Sequence, residues 1–331
     1  MKDKILAMLK ENEDTFVSGQ LISEILGVSR ASIWKHINKL KEEGYVIESI
    51  SKNGYKLVSC PDLLVQQEIN TYLNTNYIGR NIVYFDSIDS TNTKAKEIAS
   101  MDIIDGTVVI SEEQTAGRGR VGRQWISPKY KGIWMSIILK PDMEPSNASN
   151  ITLIAAAAVT MALKDFDVDV QIKWPNDIIL NNKKLGGILT EMSSELNLIE
   201  YIIIGIGINV NNSEEDFSDT LEAIATSLKI ETADNFNRQK LLGSILNHFE
   251  ILYEEYILES NLTSTLQVCK KNSILLGKEI QLYHKGVLIT ATAVDISDEG
   301  LLIIQHKDGS IEKIISGEVS MHGVYGYRQE S

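Results

Sequence analysis

Ile5, Leu6 and Leu9 fall on one face of a helix predicted over residues 2–11, and Ile33, Ile37 and Leu40 repeat that spacing further on. Between them Ser18 is placed to cap a second helix running to Leu26, where Gly27 breaks it. Ser29 caps the third, which stops at Gly44. Residues 45–51 and 55–59 read as strands, and Lys52-Asn53-Gly54 between them carries the Asn-Gly signal of a tight hairpin. Helix, helix, glycine turn, helix and hairpin is the order of a winged helix-turn-helix, expected to occupy residues 1–62 with Pro61-Asp62 as its exit.

Beyond it the periodicity is mixed. Residues 107–112, 133–139, 170–174 and 201–208 are rich in β-branched and aromatic side chains and read as strands. Residues 148–166 read as a buried helix capped by Ser149 or Asn150, and 236–259 as a long, charged, amphipathic one. A mixed-sheet α+β core over residues 67–272 fits this pattern. From 273 to 331 short alternating strands at 287–294, 301–305 and 311–315 are punctuated by Lys285-Gly286, Glu299-Gly300 and Asp308-Gly309, the pattern of a small all-β barrel.

Composition narrows the class. The 331 residues are 43% hydrophobic and 23% charged, which is ordinary for a globular chain of two or three domains. The longest apolar runs, 151–163 and 202–208, fall short of the roughly 18 residues a membrane span needs. No signal peptide is expected, and Cys60 and Cys269 form no metal or disulfide pattern, so the expected location is a reducing cytoplasm with no membrane partner. The net charge of −13 argues against indiscriminate coating of nucleic acid, yet residues 1–60 carry +1 and the remainder −14, so only the first segment is suited to DNA.

Chemistry concentrates in three stretches. Residues 117–123 combine Gly117, Gly119 and Gly122 with Arg118, Arg120 and Arg123. Glycine lets backbone approach a ligand, and arginine forks match carboxylates and phosphates, so this loop is expected to order over an anion. The glycines also match the dinucleotide fingerprint, but Trp125, Pro128 and Gly132 follow where a helix must open, which excludes that reading. Lys173-Trp174-Pro175-Asn176-Asp177 ends a predicted strand in a turn, and Lys184-Leu185-Gly186-Gly187 places a compact charge beside bare backbone. Gly205-Ile206-Gly207-Ile208-Asn209 ends another strand and fits either close packing or a ligand wall. The five histidines have no ligand spacing.

Asp89-Ser90-Thr91-Asn92, Gln114-Thr115-Ala116 leading into 117–123, then 173–177, 184–191 and 205–209 together resemble the biotin protein ligases. With residues 18–40 resembling a DNA-binding element, the match is to their bifunctional subgroup, which is also a biotin operon repressor. The resemblance implies a multidomain α+β fold: a winged helix-turn-helix, a catalytic domain similar to class II aminoacyl-tRNA synthetases and lipoate ligases, and an SH3-like barrel. It implies ATP and biotin as substrates, with Mg²⁺ on the phosphates. Biotinyl-5′-adenylate would form first, and the biotinyl group would then pass to one lysine of a biotin carboxyl carrier protein.

The resemblance also implies roles. Lys184 and Arg120 would be catalytic, Lys184 meeting the biotin carboxylate and α-phosphate while Arg120 retains the adenylate. Ser90, Thr91, Asn92, Gln114, Arg118, Gly119, Arg120, Lys184 and Gly187 would hold biotin. Arg118, Arg120, Arg123, Trp125, Asn176, Asp177, Lys184 and Asn209 would hold ATP or the adenylate, with Trp125 near adenine. A general-base role for Asp177 is a further expectation. Gly19, Ser29, Arg30, Ser32, Lys35, Lys39 and the wing's Lys52 would meet operator DNA. Adenylate would drive a homodimer onto a two-part operator. His322 stands where some relatives carry a basic residue associated with ATP, and neither it nor Arg328 is assigned a contact. Two alternatives stay open: a lipoate-type ligase, and a biotin-sensing regulator without catalysis.

Overall fold

The computed structural model describes residues 1–320 except 13–14, 43, 52, 102, 196–197, 219–220, 222, 285–286 and 316. The chain divides into two compact units, Met1–Leu63 and Leu64–Ser331.

The first unit is α1 (Lys2–Lys10), α2 (Gly19–Leu26), α3 (Arg30–Glu42) and the hairpin β1 (Val46–Ile50) and β2 (Gly54–Ser59). Ile5, Leu9, Ile22, Ile33, Ile37, Leu40, Ile47 and Leu57 close one apolar core. The sequence signals act as local physics requires. Ser18 Oγ accepts from the Leu21 amide at 3.1 Å, and Gly27 ends α2 with φ 65°. Gly54 has φ 114°, and a side chain there would meet the Val17 carbonyl; Val17 forms an isolated antiparallel bridge with Tyr55 beside the two-stranded wing.

The second unit contains α4 (Gln66–Ile69), β3 (Ile82–Phe85), α5 (Thr91–Ala99), β4 (Val108–Ser111), β5 (Ile133–Leu139), α6 (Ala148–Lys164), β6 (Gln171–Lys173), β7 (Asp177–Leu180), β8 (Lys183–Glu195), β9 (Leu198–Ile208), α7 (Leu228–Thr232), α8 (Arg238–Glu259) and α9 (Thr263–Lys271). Seven strands form a mixed sheet in the order β3-β4-β5-β9-β8-β7-β6, with β3 and β4 parallel and the other pairs antiparallel.

Strand alternation gives this sheet two unlike faces. Met135, Ile137, Ile188, Ile204, Ile206 and Ile208 join the core formed with α6 and α8. On the other face Val109, Ile138 and Ile203 pack under Ala95 and Ala99 of α5. Further along the same strands that second face carries Ser136, Gly187, Gly205 and Gly207, with Ser136 paired to Gly205 and Gly187 to Gly207.

Some local expectations are corrected. The cap of α6 is Asn147, at the end of a 3₁₀ turn over Pro145–Asn147, so Ser149 and Asn150 lie inside the first helical turn. Together the turn and helix are long and apolar enough to cross a membrane by length and composition, but they form the buried core helix of this unit. β7 and β8 make a hairpin that the sequence reading did not include. Its two-residue turn is Asn181-Asn182, at φ 47° and 62°, the positive-φ geometry asparagine tolerates.

The tail forms a five-stranded antiparallel sheet in the order β13-β12-β11-β10-β14, from β10 (Glu279–His284), β11 (Val287–Ile296), β12 (Leu302–Gln305), β13 (Ile311–Ile314) and β14 (Glu318–Ser320). Its Ile280, Leu282, Ala293 and Ile304 belong to the same apolar cluster as the central sheet. Trp174 Nε1 donates to the Gly300 carbonyl at 3.1 Å, and Gly300, at φ 80°, lies against Asn150 and Leu153 of α6. The tail is thus a separate sheet on a shared core.

Candidate functional site

The arginine–glycine loop is a small hairpin closed on itself. The Gly119 amide donates to Arg123 O at 2.7 Å and the Trp125 amide to Gly117 O at 2.9 Å. A 3₁₀ turn over Arg120–Gly122 forms the tip, where Val121 and Gly122 both have positive φ and no longer helix opens. Gly117 is required at the base, since a Cβ there would lie 2.4 Å from the Trp125 carbonyl. Arg118 is exposed, and Gly119, Arg120 and Arg123 are half-buried.

Arg120 Nη1 donates to Asn176 Oδ1 at 2.7 Å, and Asn176 Nδ2 donates to Asp177 Oδ1 at 3.1 Å and to the Ile188 carbonyl at 3.3 Å. The same Asp177 oxygen takes the Lys184 ammonium at 2.7 Å. A bulge between β7 and β8 sets Lys184 opposite Ile179 and Gly186 opposite Ile178, which turns Lys184 toward this cluster. Its Nζ lies 5.4 Å from the centre of the Trp125 ring, a cation–π contact. Two cations, an amide and a carboxylate therefore meet beside an indole. An incoming anion would share Lys184 with Asp177 and meet Arg120 at the same place.

Trp125 lies where glycines leave room. A Cβ on Gly207 would come within 2.7 Å of Trp125 Nε1, and one on Gly187 within 3.3 Å of Lys184 Cε. The indole Nε1 is buried without a hydrogen-bond partner. Trp134 meets the ring edge-on at 6.5 Å between centroids. At both glycines the structure shows close packing: Gly205 lies under Asn92 and Gly207 under Trp125.

A second polar group adjoins it. Gln114 Oε1 accepts from the Thr91 amide at 2.9 Å and its hydroxyl at 3.1 Å, while Gln114 Nε2 donates to Ser127 Oγ at 2.8 Å. Ser90 is the buried N-cap position of α5, and its amide donates to Asp89 Oδ1 at 2.6 Å.

Two expected ligand residues are instead internal braces. Asn92 is 5% exposed; its Oδ1 accepts from Ser136 Oγ at 2.6 Å, and its Nδ2 donates to Glu191 Oε2 at 2.8 Å and Leu189 O at 3.3 Å, which leaves its amide committed. Asn209 is 3% exposed and donates to Thr226 O at 2.9 Å, bracing the segment whose Ile224 and Thr226 backbone atoms pair with Lys184.

Sequence reasoning missed two ion pairs. Glu112 and Arg238 are fully buried at 2.8 Å; Glu112 also accepts the Leu64 amide at 2.7 Å, and Arg238 donates to Gly132 O at 3.0 Å. That pair holds the strand end leading to Gln114, and a buried pair needs such extra partners to persist. Lys96 and Glu191 meet at 2.5 Å. Burial alone would raise the Glu191 pKa, but hydrogen bonds from Lys96 and Asn92 and the charges of Lys96 and Arg118 outweigh it and hold the carboxyl below its ordinary range. Among the described residues no three His, Cys, Asp or Glu side chains gather to hold a metal.

The first unit offers a surface of its own. Lys35 and Lys39 are exposed on α3. Arg30 donates to Gln20 Oε1, and Ser29 Oγ accepts from the Ser32 amide at 3.3 Å, capping the helix. Gly19 is turned to the wing, where a Cβ would be 3.4 Å from the Tyr55 ring. Trp34, 62% exposed on α3, was not anticipated; an aromatic residue between a core isoleucine and a lysine was the available signal. Lys52, His322 and Arg328 lie outside the described residues.

Residues 84–209 match the biotin/lipoate A/B protein ligase family, residues 2–56 an HTH domain, and residues 275–322 the biotin protein ligase C terminal domain. The chain is 37% identical over 322 residues to the bifunctional ligase/repressor BirA of Bacillus subtilis, covering 97% of this chain and 98% of that protein. It is 29% identical over 319 residues to BirA of Escherichia coli, covering 96% of each. Among solved structures it is similar to a biotin protein ligase from Aquifex aeolicus in complex with biotin and ATP, at TM-score 0.63 and 28% identity over 73% of this chain and 98% of that one.

Proposed function

The chain belongs to the bifunctional biotin ligase/repressor family, and from that premise we propose that the cluster around Lys184 joins biotin to ATP while the first unit binds operator DNA. The observation that carries the reading is the convergence of Arg120, Asn176, Asp177 and Lys184 beside Trp125 on the glycine-lined face of the sheet.

In the first step a carboxylate oxygen of biotin bonds to the α-phosphorus of ATP, the bond to the β-phosphate oxygen breaks, and pyrophosphate leaves. The reactants repel each other, so Lys184 and Arg118, Arg120 and Arg123 neutralise the charge that accumulates. Mg²⁺ arrives as part of the MgATP substrate, and Asp177 is the carboxylate beside Lys184 that would meet it. Ser90, Thr91 and Gln114 supply polar contacts for the ureido ring, and Trp125 a face for adenine. In the second step a neutral lysine amine of a biotin carboxyl carrier protein attacks the acyl carbon. An amide bond forms, AMP leaves, and Asp177 takes the amine proton. The arginine loop shields the mixed anhydride from water.

The repressor reading rests on α3 and the wing. Arg30, Ser32, Lys35 and Lys39 would approach the major groove, with Trp34 among them. A single module binds weakly, so an adenylate-dependent homodimer on a two-part operator is the fitting assembly. The cytoplasm is the fitting compartment for ATP, a carrier protein, DNA and two free cysteines.

The test mixes the purified chain with MgATP and either biotin or lipoate and detects acyl-adenylate by mass spectrometry. Biotinyl-adenylate is the expected product. Lipoyl-adenylate alone would move the chain to the lipoate ligases, and neither product would leave a sensor without catalysis.

A further inference from the structure

Glu191 and Lys96 have no place in the steps above, yet they head a hydrogen-bond chain that runs to the proposed biotin pocket. Lys96 Nζ meets Glu191 Oε1 at 2.5 Å, and Glu191 Oε2 accepts from Asn92 Nδ2 at 2.8 Å. Asn92 Oδ1 accepts from Ser136 Oγ, which also lies 2.8 Å from Thr91 Oγ1. Ser136 spends its one proton on Asn92, so the Thr91 hydroxyl closes the contact with Ser136, and it is the Thr91 backbone amide that donates to Gln114 Oε1 at 2.9 Å.

The chain has a direction set at its far end. An ammonium only donates and an ionised carboxylate only accepts. Asn92 must therefore point its NH₂ at Glu191 and its oxygen at Ser136. With Gln114 Oε1 held by the Thr91 amide and one Nε2 proton given to Ser127, Gln114 has an N–H left to offer a ligand. The fold reserves space for this arrangement: a Cβ on Gly205 would fall 2.2 Å from Asn92 Oδ1.

We propose that the Lys96–Glu191 pair is a positioning element for biotin: it orients Asn92, which through Ser136 holds Thr91 in place, and the Thr91 backbone amide positions the Gln114 side chain that faces the ureido ring. This rests on the biotin reading of the site. Burial would raise the Glu191 pKa, but the hydrogen bonds from Lys96 and Asn92 and the charges of Lys96 and Arg118 hold the carboxyl below its ordinary range.

The test measures biotin affinity of the full chain by titration calorimetry, with ATP affinity and melting temperature as controls, for the unmutated protein, Glu191→Gln and Lys96→Met. Glu191→Gln keeps the shape but removes the charge and leaves one oxygen to accept from two donors, Lys96 and Asn92; biotin should bind about tenfold more weakly, with ATP affinity within about twofold. The pH arm separates positioning from mere stability. Because the folded carboxyl titrates low, its acceptor role is present above that range and lost as pH falls through it. Without Lys96 the loss should begin at higher pH, moving the midpoint of the biotin affinity profile upward. A purely structural pair would lower the melting temperature and leave that midpoint in place.

Unchanged biotin affinity in Glu191→Gln at an unchanged melting temperature would overturn the proposal alone. So would a parallel fall in biotin and ATP affinity with an unmoved pH midpoint. If the unmutated chain fails to bind biotin, the proposal and the reading beneath it are both overturned.

Discussion

The two faces of the central sheet are built from the same strands by opposite means. Toward α6, Ile204, Ile206 and Ile208 of β9 fill the core and are fully or almost fully buried. Interleaved with them on the other face, Gly205 and Gly207 present no side chain. One face gains from added volume, at about 25 cal/mol per Å² of apolar surface removed from water. The other works by withholding volume, so that Asn92, Trp125 and Lys184 from three other segments can occupy the space. Substitutions on adjacent residues of one strand should therefore separate catalysis from stability.

The largest effect on adenylate formation is expected for Lys184→Met. Removing a preorganised charge from the reacting phosphate should slow single-turnover adenylation by about 10²–10³-fold, measured by rapid quench, with the melting temperature little changed. Next comes Gly205→Ala. The new methyl collides with Asn92, and displacing that brace should weaken biotin binding about tenfold or more by calorimetry. Asp177→Asn should cost about tenfold in carrier-lysine transfer, through loss of the proton acceptor and the Lys184 partner, with a smaller loss in adenylation. The smallest catalytic effect belongs to Ile206→Ala on the filled face. It should lower unfolding stability by about 2–5 kcal/mol in denaturant titration while the folded protein adenylates near the unmutated rate.

What the sequence disclosed follows the range of the interactions. The winged helix was legible because its signals are local: Ser18 caps α2, Gly27 ends it, and Asn53-Gly54 marks the turn between β1 and β2. The arginine loop was legible from composition, since glycine and arginine state their chemistry without knowing their neighbours. The β7–β8 hairpin was not, because Pro175-Asn176-Asp177 was a louder turn signal than Asn181-Asn182, which makes the turn between these two strands. Gly205 and Gly207 could not be assigned, because the meaning of a bare strand position depends on what lies over it. The partners there are Asn92 and Trp125, which reach the face from other segments. Lys96 with Glu191 and Glu112 with Arg238 are separated by 95 and 126 positions, and no periodicity links residues that far apart. The same holds for the internal partners of Asn92 and Asn209, which come from Ser136, Glu191 and Thr226 in distant segments.

The most direct measurement is single-turnover formation of biotinyl-adenylate by Gly207→Ala beside the unmutated chain. A methyl there sits 2.7 Å from the Trp125 indole nitrogen and must lift the ring and the Lys184 ammonium above it. If the bared face is where biotin and ATP react, the unmutated chain forms the adenylate and the variant, still folded, forms it at least about tenfold more slowly. An unchanged rate in a folded Gly207→Ala protein would place the reaction elsewhere and contradict the reading of the glycine face.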